Sequence, residues 1–128
     1  MTESSKVLGV AQLAITVSDV PLATTFYRDA VGLPQLPIPA PPTMSFLALG
    51  DVRLMLSQPE AGFTPGGGTV IYLKVADIHV SAAEMKSRGV TFTGEPHLIA
   101  KLPDKEIWLA EFRDPDGTAL ALMCEVPV

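Results

Sequence analysis

The side chains able to move a proton are few and scattered. His97 stands in Glu95-Pro96-His97-Leu98. An imidazole there suits a proton shuttle or a ligand anchor, because its charge changes within the ordinary range of pH. Glu111 lies in the run from Glu106 to Phe112. Buried without a partner, its carboxylate is a general base; paired with Arg53 or Lys74, it is a structural ion pair. Tyr72 offers a third acid–base group, or an aromatic contact at an interface. His79, early on a helical segment, reads as solvent-facing. Cys124 has no basic neighbour in sequence to favour a thiolate and reads as buried packing. Pro65-Gly66-Gly67-Gly68 lacks the Lys-Ser/Thr ending and the following helix of a phosphate loop. No nucleophile elbow and no paired-cysteine metal knuckle occurs. The chemistry left is acid–base work or plain binding.

The chain that carries these groups has 128 residues, of which 48% are hydrophobic and 18% charged. Mean hydropathy is +0.34, which excludes disorder as the main state and fits one domain with a real core. Nine Lys and Arg stand against fourteen Asp and Glu, for a net charge of −5. That balance argues against nucleic acid as a partner. No apolar run approaches the roughly 20 residues of a bilayer span, so no membrane partner is expected. The first six residues do not resemble a secretion signal, and the single cysteine fits a reducing compartment, so the expected location is cytoplasmic.

Elements can be read from pattern. Leu13, Ile15 and Val17 alternate with Gln12, Ala14 and Thr16 as a strand. Asp19 caps a helix with Pro21 in its first turn; Leu22, Phe26, Ala30 and Val31 share a face, and Gly32 ends it. The Pro-rich stretch from Leu33 to Pro42 reads as an extended, stiff surface segment. Strands follow at Phe46 to Leu49 and Val52 to Leu56, around a Gly50-Asp51 turn. Gly62 to Gly68 is the candidate link. The order then repeats: a strand around Ile71, Leu73 and Val75, a helix from Asp77 to near Gly89, strands at Val90 to Phe92 and Glu106 to Phe112, a turn at Asp114-Pro115-Asp116-Gly117, and a closing strand from Ala119 to Cys124.

Gln12-Leu13-Ala14-Ile15-Thr16-Val17-Ser18-Asp19 superposes on Val70-Ile71-Tyr72-Leu73-Lys74-Val75-Ala76-Asp77, apolar on apolar, with the capping Asp in register. This is an internal duplication. Residues 1–128 are expected to form a single α+β domain of two tandem βαβββ modules, their curved mixed sheets around a cleft. Module one covers about 7–60, the Gly-rich link about 61–68 and module two about 69–126.

The repeated unit with a Gly-rich link resembles the vicinal oxygen chelate superfamily, which includes glyoxalases, bleomycin resistance proteins and extradiol dioxygenases. Val17-Ser18-Asp19-Val20 followed by Phe26 to Leu33, and Phe112-Arg113-Asp114-Pro115-Asp116-Gly117, carry the likeness. The resemblance implies a ligand cleft, a dimer, and in the enzymes a divalent metal held by one residue from the first and last strand of each module. Those positions fall on Gln12, Met55, Val70 and Ala121 here. Three lack a useful donor and the fourth is a neutral amide, so neither a metal nor any other cofactor is expected.

With the apolar face of each strand turned to the helices, Gln12, Ala14, Arg53, Met55, Val70, Tyr72, Lys74, Ala121 and Met123 face the cleft; alternation and the family likeness add Leu109 and Glu111. The expected function is metal-independent binding of a small, partly apolar organic molecule by a homodimer. The alternative is a metal-free isomerase, lyase or cyclase using Glu111 and His97. A filled core with no cleft, Met55 and Ala121 being packing, is the third possibility.

Overall fold

Two aspartates set the architecture. The computed structural model describes residues 5, 7–59 and 64–128; the N-terminal signal reading and the first part of the link, 61–63, fall outside that set or only partly within it. Strand β1 (Gln12–Thr16) leads to Asp19, which has extended backbone and accepts from Leu22 N at 2.9 Å to start helix α1 (Val20–Thr25). Strand β4 (Val70–Lys74) leads to Asp77, which caps helix α2 (Ile78–Ser87) through His79 N and Val80 N. The two strands have the bounds that the internal superposition requires.

Helix α1 does not run on as an α-helix. Phe26–Val31 forms a π-helical turn ended by Gly32 at φ 96°. The buried face across both segments is Val20, Ala23, Thr24, Tyr27, Ala30 and Val31. Leu22, expected on that face, is 54% exposed, because the buried stripe of α1 runs through Val20, Ala23, Thr24 and Tyr27 at ordinary helical spacing.

Between them come β2 (Met44–Leu49) and β3 (Val52–Ser57), and after α2 come β5 (His97–Lys101), β6 (Lys105–Arg113) and β7 (Ala119–Pro127). One sheet has the order β1-β3-β2, the other β4-β7-β6-β5. β1 runs parallel to β3 and β4 parallel to β7, while β2 and β6 run antiparallel to those central strands. The repeat is thus one of topology as well as sequence, except that among the described residues the first module has three strands where the expected βαβββ unit has four, with only the Gln35–Leu47 bridge at the place of the fourth.

Two local expectations are corrected. Val90 to Phe92 is no strand: Phe92 makes a single bridge to Phe112. The strand lies later, at β5, which begins at His97. A register shift between Leu98 and Ala100 breaks its alternation, which hides it from pattern. The Pro-rich segment is also less free than expected. Gln35 bridges Leu47, and Ala48 N donates to Pro34 O, so it forms a ragged edge to the first sheet.

Both sheets turn their apolar faces to one shared core, which includes Ile15, Tyr27, Leu54, Ile71, Phe112 and Leu122. Polar contacts fasten the modules. Tyr27 Oη donates to Asp114 Oδ2 at 2.7 Å, Ser18 donates from N and Oγ to Asp116, and Arg88 Nε donates to Ala30 O at 3.1 Å.

Candidate functional site

The strand registers put the expected site residues on the sheet faces that point away from the helices. Tyr72, Ala121 and Glu111 form one cross-strand row; Lys74, Met123, Leu109 and His97 form the next. On the first sheet Gln12 pairs with Arg53 and Ala14 with Met55. Val70 pairs with Ala119. Gln12, Ala14, Arg53, Val70, Tyr72 and Lys74 are exposed; Met55, Glu111 and Met123 are half-buried; Leu109 and Ala121 are buried.

Glu111 meets neither Arg53 nor Lys74. Its Oε1 lies 3.5 Å from His97 Nε2, with both side chains about half exposed. His97 Nδ1 is 3.1 Å from Glu95 O, which fixes the ring from the other side. His79 stacks edge-on against Trp108 at 5.5 Å. Buried Cys124 directs Sγ to Ala76 O at 3.3 Å.

The four positions at which relatives would hold an ion do not fit one. Gln12 Nε2 rests 3.7 Å from Met55 Sδ, so on the first sheet an amide N–H meets a thioether. On the second sheet Val70 and Ala121 present hydrocarbon only. A catalytic divalent ion needs about three strong protein donors. Among the described residues no three His, Cys, Asp or Glu side chains stand close enough to hold one.

The main concavity lies where the edge strands β1 and β4 pass each other. A cavity of about 580 Å³ is lined from module one by Val10, Leu13, Val31, Leu33 and Leu49. Module two contributes Leu73, Val75, Met85 and Leu122, with Ser81, Glu84 and Arg88 from α2 or its end. Tyr72 and Lys74 complete the wall, the only expected site residues to do so. A second cavity of about 390 Å³ is lined by Ala14 to Thr16 of β1, by Thr69 and Ile71, and by Thr118. The first cavity joins the start of β1 to the end of β4 and the second does the reverse, so the two strands pass antiparallel. Ala14 is the one expected residue on the second cavity, and the rest line neither.

Sequence reasoning missed Arg88, Glu84 and Ser81. Nothing in their sequence positions marks them, and only the approach of α2 to the end of the π turn makes a wall of them. Leu13 and Leu73 were legible as core, not as lining, because period-2 alternation does not tell a filled interior from a hollow one.

No curated protein matches this sequence. A family model described as the Glyoxalase/Bleomycin resistance protein/Dioxygenase superfamily matches residues 9–122. Among solved structures, TnmS3, an antibiotic binding protein from Streptomyces sp. CB03234, is similar at 25% identity and TM-score 0.74, covering 93% of this chain and 97% of that one. A member of the same superfamily from Sphaerobacter thermophilus DSM 20745 is similar at 28% identity and TM-score 0.74, covering 93% and 98%. An integron cassette protein from the mobile metagenome of V. cholerae shares the fold at 23% identity and TM-score 0.76, covering 93% and 96%.

Proposed function

The chain belongs to the glyoxalase/bleomycin resistance protein/dioxygenase superfamily, and from that premise we propose that it binds a small, partly apolar organic molecule between its two modules without a metal. The observation that carries this reading is the cavity of about 580 Å³ at the module junction, apolar within and polar at its rim. Its size falls in the range of roughly 300–1,000 Å³ typical of small-molecule sites. The likeness to an antibiotic binding protein supports binding as the task. The amide, thioether and two hydrocarbons at Gln12, Met55, Val70 and Ala121 support metal independence.

The binding protein is a homodimer in this reading. Val70 and Tyr72 are 47% and 56% exposed on the open face of the second sheet, an apolar surface of the kind that a second copy covers. Its setting is cytoplasmic, in keeping with a lone buried thiol. No helix among the described residues is long and apolar enough to cross a membrane.

A thermal-shift screen of organic molecules on chelator-treated protein tests the reading, since a ligand that binds the native state raises its melting temperature. Shifts without added ion are expected. A screen in which every shift requires a divalent ion would reject metal independence.

One observation favours a second reading, an enzyme. His97 Nε2 and Glu111 Oε1 stand 3.5 Å apart, a contact that must shorten to roughly 2.6–3.2 Å for proton transfer. Under it, His97→Asn or Glu111→Gln abolishes turnover of a bound compound and leaves its affinity nearly intact.

A further inference from the structure

Resting on the junction cavity as ligand site, we infer that its ligand class is an amphipathic anion: an apolar body ending in a carboxylate. The walls from Leu13, Val31, Leu33, Leu73 and Leu122 suit the body. The charged groups on the lining are Lys74 and Arg88 against Glu84. This local excess of positive charge opposes the chain's net −5, so it is not a consequence of composition.

Neither cation is neutralised. Among the described residues, Lys74 and Arg88 make no ion pair with any carboxylate. Glu84 lies one helical turn before Arg88, the spacing at which such pairs form, and the two remain apart. Arg88 is steered elsewhere: its Nε donates to Ala30 O, across the module junction, at 3.1 Å. That bond uses Nε and leaves the two Nη groups as a fork. A guanidinium fork matches a carboxylate with two parallel hydrogen bonds, and such charge-assisted bonds are stronger than neutral ones. Lys74 adds a second point charge from the end of β4. A ligand ammonium would meet like charge from both, with Glu84 alone in its favour.

Three fluorescent probes with one apolar body test this: anthracene carboxylate, anthracene methanol and anthracene methylammonium, titrated at neutral pH into chelator-treated, desalted protein. The carboxylate is expected to bind roughly tenfold tighter than the alcohol, and the ammonium weakest. Lys74→Met and Arg88→Gln should each bring the ratio of carboxylate to alcohol affinity, read within the same variant, close to one. Lys74→Met does not touch the Ala30 contact, so it reads the charge separately from the junction. Glu84→Gln should tighten the carboxylate. Equal affinity for alcohol and carboxylate, or preference for the ammonium, would overturn the anion assignment while the cavity reading stands. No binding of any probe up to its solubility would overturn the cavity reading itself.

Discussion

Tyr27 reaches across the two modules to donate its hydroxyl proton to Asp114 Oδ2 at 2.7 Å, with both residues buried. Asp114 Oδ1 meanwhile accepts from Asp116 N and Thr118 N. One carboxylate therefore shapes the turn of module two and anchors the helix of module one. Tyr27→Phe should cost about 1–3 kcal/mol, the penalty for leaving a buried acceptor short of a donor, as measured by denaturant unfolding. No change in the midpoint would show the bond to be incidental.

The same pair sets an alkaline limit. Burial, then the neighbouring Asp114 charge, pushes the Tyr27 hydroxyl well above the usual tyrosine range. An unfolded tyrosine loses its proton near pH ~10, while Tyr27 keeps its proton in the folded chain. Its contribution is complete below that pH and falls above it, by about 1.4 kcal/mol per pH unit for one proton. Unfolding measured from pH ~8 to ~11 should show this slope in the parent chain and lack that share of it in Tyr27→Phe. Identical slopes would remove Tyr27 from the account.

Gly66 holds the link against the Asp114–Gly117 turn. Its φ is +78°, and a Cβ there would overlap the Asp116 carbonyl oxygen. Backbone cannot yield as a flexible side chain can. Gly66→Ala should cost more than about 2 kcal/mol by thermal or denaturant unfolding. A variant as stable as the parent would mean that the link does not hold this position in solution.

The cavity can be filled from Ser81, a half-buried residue on its α2 wall. Ser81→Phe should weaken a bound anthracene carboxylate at least about tenfold and leave the melting temperature of the free protein nearly unchanged. Unaltered affinity in a folded variant would place the ligand elsewhere, on the open sheet faces that carry Met55, Tyr72 and Glu111.

The open sheet face offers a test of assembly. Val70→Lys places a charge on the exposed sheet face that carries Val70 and Tyr72, where a contact between copies would bury it. Light scattering should find the parent chain dimeric and the variant shifted towards monomer. A monomeric parent would refute the homodimer.

The repeat, the capping aspartates, the Gly32 stop and the alternation of β1, β4, β6 and β7 were legible because each is a local rule written in adjacent residues. β5 was not: its alternation breaks between Leu98 and Ala100, and four of its five residues are exposed, so no buried face marks it. The π turn was hidden because Phe26 to Val31 reads equally well at helical spacing. At the site, the character of the faces was legible and the hollow was not. The meeting of His97 with Glu111, and of Arg88 with Ala30, depends on how strands and modules pack.

The protein is expected to bind an organic molecule where no ion is held. The most direct test is a calorimetric titration of the strongest hit from the thermal-shift screen into chelator-treated protein, repeated after incubation with zinc or nickel and desalting. The prediction is one molecule per chain with a Kd unchanged within about twofold by the metal treatment. Binding that appears only in the metal-treated sample, with about one ion retained per chain by elemental analysis, would contradict it.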